Sequence, residues 1–283
     1  MTGLLTMLSY AFMRRALLVG ILLALCAALL GAVLVLRRFS MLGDGLSHVG
    51  FGAMAAAAAA NAAPLPFALP IVLVAAFLIL RLSAKTKDSA AGDAVTAAVS
   101  SGAFAVGLLI LSLSGGANFD VHSYMFGSVL SLSRTEALIA APVCALMLIL
   151  LILGGNELFS VAFDPDFALC AGRRADAVNT VLACATALIA VIGMKLVGVL
   201  LLSAMIVLPP LTAMNFGELG GKTSFSLVRF IACADALVTF AAGMLASYFA
   251  GGTNVPAGAC IVTLQFAVFL VSVLAKRLRF RRG

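Results

Sequence analysis

In the stretch "LRRFSMLGDGLSHVGFGAM", residues 36–54, an acid and an imidazole stand four residues apart inside an otherwise apolar run. On an α-helix, Asp44 and His48 project from the same face, one turn apart. A neutral imidazole beside a carboxylate suits zinc, manganese or ferrous iron better than an organic substrate. Gly43, Gly45, Gly50 and Gly52 surround the pair and permit close approach by neighbouring helices or a ligand. Exposing Asp to hydrocarbon costs roughly 2.5–3.5 kcal/mol at a helix centre, so the pair should turn toward the bundle interior or a watery path. Two plainer roles stay open: hydrogen bonding between helices and, for Asp44 alone, capping of the helix start.

Other polar residues are weaker candidates. Asp235, in "CADALVTF", lies about nine residues into its own apolar run, deep enough to line the same path unless it pairs with Arg229 or a backbone group. Asp120 and His122, in "NFDVHSYMFGS", mark an outer mouth, where a loop acid is more often simply solvated. Asp93 opens a run where an acid favours the helix dipole, and Lys195 reaches for the outer interface. Ser47 beside His48 invites a hydrolase reading, but adjacent helical residues point about 100° apart. The G-x-S-x-G pattern is also missing. Neither H-E-x-x-H nor G-x-x-x-x-G-K-[ST] occurs, so any P-loop hydrolysis of ATP falls to another subunit.

The elements that must position these residues follow from composition. Of 283 residues, 64% are hydrophobic and 10% charged. A soluble domain of this size has no interior for so much apolar surface, so the solvent is largely lipid. The apolar runs are about twice the roughly 10-residue length of barrel strands and do not alternate in polarity, which points to an all-α polytopic bundle. The net charge of +7 follows topology and is not a nucleic-acid footprint. Five of the six cysteines lie in apolar runs and the sixth, Cys170, in a loop; no metal-ligand spacing or disulfide framework emerges.

Runs long enough to cross about 30 Å of hydrocarbon fall near 15–36, 41–60, 64–82, 93–114, 135–154, 177–194, 196–214, 226–249 and 256–275. This predicts nine spans, with eight as the alternative; the sixth and seventh, separated only by Gly193, Lys195 and Gly198, are together long enough for two crossings joined by a tight turn. The first run is expected to be retained, not cleaved as a signal. Fourteen of the 18 lysines and arginines fall on one set of loops, the exceptions being Arg14, Arg15, Arg134 and Lys195. The positive-inside rule puts the rich side, with the C-terminus, in the cytoplasm.

Several segments, in order, resemble the membrane permeases of ABC importers for zinc, manganese or iron, over about residues 12–275. "VLRRFSMLGDGLSHVGFG" is similar to that family's arginine pair and Gly-Asp-x-x-Ser-His stretch. "DAVTAAVSSGAFAVG" (93–107) resembles its fourth-span segment, with Ala97 where glycine is usual, and "DVHSYMFGSVL" (120–130) its Ser-Tyr-Leu-Phe-Gly element, with Met125 for leucine. "FDPDFALCAG" (163–172) is similar to the loop that docks on the ATPase. "VGVLLLSAMIVLPPLTA" (197–213) resembles the seventh-span signature, with Pro210 for alanine, and "SYFAGGTNVPAGACIV" the last outer loop.

The resemblance implies a single transmembrane permease domain over 1–283 in a bacterial inner membrane, with a cytoplasmic coupling segment near 155–176. It implies a second permease chain (homo- or heterodimer), two cytoplasmic ATPases that bind the ATP, and an extracytoplasmic metal-binding protein, with no nucleic acid. Asp44 and His48, with Asp235, would form a metal transit or gate site that binds weakly, since it must release what it receives. Phe163, Asp164, Pro165, Asp166, Phe167, Ala168 and Gly172 would couple to the ATPase. Pro209 and Pro210 are expected to break a pore-lining helix. The alternatives are a stand-alone secondary metal transporter or channel and an intramembrane hydrolase using Ser47.

Overall fold

Lipid offers backbone N–H and C=O groups no partner, so a membrane chain must satisfy them within helices. The computed structural model describes residues 9–37, 39–85, 91–114, 134–163, 170, 172, 175–219, 224–249 and 256–280. These residues form helices α1 (Ala11–Leu36), α2 (Leu42–Ala59), α3 (Pro64–Lys85), α4 (Ala91–Leu113), α5 (Arg134–Leu153), α6 (Gly155–Phe163), α7 (Ala175–Val197), α8 (Val199–Leu219), α9 (Phe225–Phe249) and α10 (Ala257–Phe280). Among the described residues, seven helices are long and apolar enough to cross a membrane. The pair α5–α6, bent by 63°, raises the number to eight.

Each expected run is a helix, but α2 does not qualify as a span by length and apolarity. It has 18 residues, diluted by Asp44, His48 and four glycines. Of its 18 residues 13 are nonetheless buried, because it packs chiefly against protein. Two turns follow the local chemistry. After α2 the chain reverses at Asn61, whose left-handed backbone (φ 53°) closes a Schellman-type turn through the Ala62 N–H to Ala57 carbonyl bond. Pro64 then opens α3. The 40-residue apolar run divides at Gly198 (φ 90°), where a side chain would be strained. Gly193 lets α8 fold back so closely that a Cβ there would meet the Leu202 side chain.

Around α1 pack α5, α7, α8 and α9; a second group forms around α2, which packs on α3, α4, α7 and α8. Helices α7 and α8 belong to both groups, and α10 closes the flank against α8 and α9. Side-chain and backbone contacts fix which helix ends lie together. The Met41 N–H reaches Asp93 Oδ1 from α4, Gly155 meets Arg229 at the foot of α9, and Lys276 of α10 pairs with Glu218 of α8.

The expected break at Pro209 and Pro210 does not occur. α8 runs from Val199 to Leu219 through both prolines, which are buried. Pro210 lacks the N–H that would bond the Ile206 carbonyl one turn back. α1 brings Gly31 directly onto that carbonyl, so that a Cβ at Gly31 would collide with the Ile206 oxygen and stand 3.0 Å from the Pro210 ring. A backbone C–H···O contact of this kind partly replaces the missing bond, and packing neighbours keep the helix intact. Gly31→Val should therefore force α1 away from α8 at a cost of about 1–3 kcal/mol. Thermal melting of the detergent-solubilised protein checks this: a drop of several degrees is expected, and unchanged melting would contradict a tight α1–α8 seam.

Candidate functional site

The glycines of α2 each admit a different neighbour. A Cβ on Gly43 would strike Ile206 of α8, and one on Gly50 would strike Met194 of α7. On the opposite side Gly45 lies against Thr96 of α4, Gly52 against the Ala103 carbonyl, and Gly107 of α4 against the Gly52 backbone. Three neighbouring helices thus hold α2 at near-backbone distance, which fixes its rotation about its own axis. The faces so occupied leave one edge, between α4 and α8, and Asp44 and His48 project there.

Both side chains are about 30% exposed, Asp44 at 30% and His48 at 31%, and His48 Nε2 stands 3.6 Å from Asp44 Oδ2. That gap is too long for a good hydrogen bond. It is close to the spacing of two donors on one cation: ligands about 2.1 Å from a tetrahedral metal lie roughly 3.4 Å apart. The imidazole meets the edge of Phe104 at 5.4 Å and 88°, and Phe104 stacks on Phe51 at 4.9 Å. The aromatic pair backs the imidazole and ties it to α4. Sequence reasoning passes over Phe104, because a phenylalanine in an apolar run carries no signal until its neighbour is known.

The capping role for Asp44 is not met. α2 starts at the N-cap Met41 with no side-chain cap bond, so Asp44, in the first turn, does not cap it. Asp93 of α4 approaches the Met41 N–H at 3.4 Å instead. Asp44 still favours the positive end of the α2 dipole. Ser47 is buried and donates its hydroxyl to the Gly43 carbonyl at 2.8 Å, which takes it away from His48 and from nucleophilic chemistry.

The remaining candidates lie apart. Asp235 sits in α9, which packs on α1, α8 and α10, whereas α2 packs on α3, α4, α7 and α8, so the structure does not bring it to the Asp44–His48 pair. Among the described residues its Oδ2 is buried with no hydrogen-bond partner, and it does not pair with Arg229, whose guanidinium lies 5.5 Å over the Phe225 ring. Phe163 ends α6 with 74% of its surface exposed, and Gly172 takes a left-handed backbone, φ 75°. Asp164, Pro165, Asp166, Phe167, Ala168, Asp120 and His122 lie outside the described residues. Among the described residues, no three His, Cys, Asp or Glu side chains gather as a metal site. One chain therefore presents two donors on an open edge, half of a tetrahedral set.

The chain has counterparts in known proteins. The model of the ABC 3 transport family matches residues 9–276. A probable metal transport system membrane protein of Thermotoga maritima is 31% identical over 266 residues, covering 93% of this chain and 90% of the relative. A probable iron transport system membrane protein of Haemophilus influenzae is 29% identical over 275 residues, 97% of each chain. In fold, the chain is similar to PsaBC from Streptococcus pneumoniae, solved in complex with Fab, with a TM-score of 0.79 at 24% identity over 96% of this chain and 94% of that one. Matched by the family model over nearly its whole length, the chain belongs to the ABC 3 transport family.

Proposed function

We propose that the chain is the membrane-spanning permease of an ATP-binding cassette importer and that its cargo is a divalent transition metal ion. The observation that carries this reading is the half-exposed Asp44–His48 pair, whose donors stand 3.6 Å apart on the one open edge of α2. The metal is held as passing substrate. A second permease chain presenting its own pair would complete the coordination shell, and so would water. Either arrangement binds weakly enough to release the ion, as conduction requires. An oxygen and a nitrogen donor serve zinc, manganese and ferrous iron alike, so the choice among them rests largely with the extracytoplasmic binding protein that delivers the ion.

Energy enters from outside the chain, since the sequence carries no P-loop. Two cytoplasmic ATPases dock at the segment after α6, and their closure tilts the helices between outward and inward states. The direction of the array follows from charge. Along the sequence, Arg37, Arg81, Arg229, Lys276, Arg277 and Arg279 fall at the arginine- and lysine-rich end of the alternating runs. The positive-inside rule makes that end, with the C-terminus, cytoplasmic in a bacterial inner membrane. A secondary metal transporter is the competing reading, and the unpartnered carboxylate oxygen of Asp235 is what favours it.

Uptake of radioactive manganese or zinc into proteoliposomes, with the cognate ATPase present, tests the reading. Transport should require ATP, and His48→Ala or Asp44→Ala should lower it at least about ten-fold while the ATPase stays bound. Full-rate uptake without ATP would establish the secondary transporter instead, and undiminished uptake in both variants would remove the pair from the path. The exposed native thiol Cys170 reports topology. A membrane-impermeant maleimide should label it in inverted vesicles and not in spheroplasts, with Cys170→Ser as the control; labelling from outside would reverse the array.

A further inference from the structure

The foot of α9 is tied to α6 by a chain of side chains that metal passage does not itself require. Phe163 and Phe159, one turn apart on α6, stack at 5.6 Å and 28°. Phe159 in turn stacks on Phe225, the first residue of α9, at 4.3 Å and 25°. One turn further along α9, Arg229 spreads its guanidinium 5.5 Å over the same Phe225 ring. The guanidinium also lies flat against Gly155, the first residue of α6, where any Cβ would collide with Nη1.

The contacts close a loop from the start of α6 through Arg229, Phe225 and Phe159 to the exposed ring of Phe163. Stacked rings and a cation over a ring resist both separation and sliding. Leu158 and Ala162 anchor the inner face of α6 in the core formed around α1. A push on the exposed end of α6 therefore reaches α9 through the aromatic stack.

We propose that Phe159, Phe225 and Arg229 are positioning residues for transport: they transmit displacement of the ATPase-facing surface at α6 into α9, and Gly155 is the notch that seats the arginine. The proposal rests on the permease reading above. Nothing in this joint touches the metal path, so its loss should uncouple hydrolysis from transport without abolishing either assembly or hydrolysis.

The test uses the complex of the full chain with its cognate ATPase in proteoliposomes, with three readouts: co-purified ATPase, ATP hydrolysis and metal uptake. Phe159→Leu and Arg229→Met should keep the ATPase and hydrolyse ATP within about two-fold of the parent, while metal moved per ATP falls about ten-fold, inside the usual range of coupling effects. Phe159→Tyr, which keeps the stack, should restore the ratio, and Gly155→Ala should reproduce the defect without altering any aromatic residue. An unchanged ratio of uptake to hydrolysis in Phe159→Leu and Arg229→Met overturns the proposal. So does loss of the ATPase from the variants, which would assign these residues to docking. If the parent chain itself fails to bind the ATPase, the permease reading falls instead, and the two failures are told apart.

Discussion

Everything about the candidate site depends on how closely α2 is gripped. Interfaces between helices in lipid gain no hydrophobic driving force, so they hold by close packing and favour residues without bulk. In α2 that requirement is met by Gly43, Gly45, Gly50 and Gly52, each occupied by a neighbour that a side chain would displace. The grip has two consequences. It buries a helix too polar to count as a span by itself, and it leaves Asp44 and His48 a single direction in which to point.

A similar use of glycine recurs where α1 meets α8. There the close approach of Gly31 lies against the carbonyl that Pro210 leaves unbonded, so a residue pair that ends helices in water sits inside one here. The two groups of helices, around α1 and around α2, share α7 and α8. Motion of α9 at the edge of the first group is therefore one packed helix away from the open edge of the second. That proximity gives a physical route between a cytoplasmic joint at α6 and a polar pair on α2, through α8, which touches both α9 and α2.

Much of this was legible in the sequence, for physical reasons. Bilayer thickness dictates the length of an apolar run, so the helices could be placed, and the interruption around Gly198 marked a real turn because only glycine relieves that backbone. The four-residue spacing of Asp44 and His48 translated directly into a shared face. What stayed hidden were partners distant in the chain. Pro209 and Pro210 looked like a break because nothing near them in sequence announces Gly31. Asp235 looked like a companion of the pair because depth in a run is visible and the neighbour across the helix is not. Phe159 and Phe225 carry no signal in the sequence, and only their stacking distinguishes them.

The central claim is that the second helix offers a metal ion one carboxylate and one imidazole. Pulsed electron paramagnetic resonance on the complete complex in nanodiscs, with Mn2+ added as the probe, tests it most directly. Echo modulation from an imidazole nitrogen should appear with the parent chain and vanish in His48→Gln, leaving only water and carboxylate signatures. The same nitrogen modulation in His48→Gln, or none with the parent at saturating Mn2+, would contradict the claim.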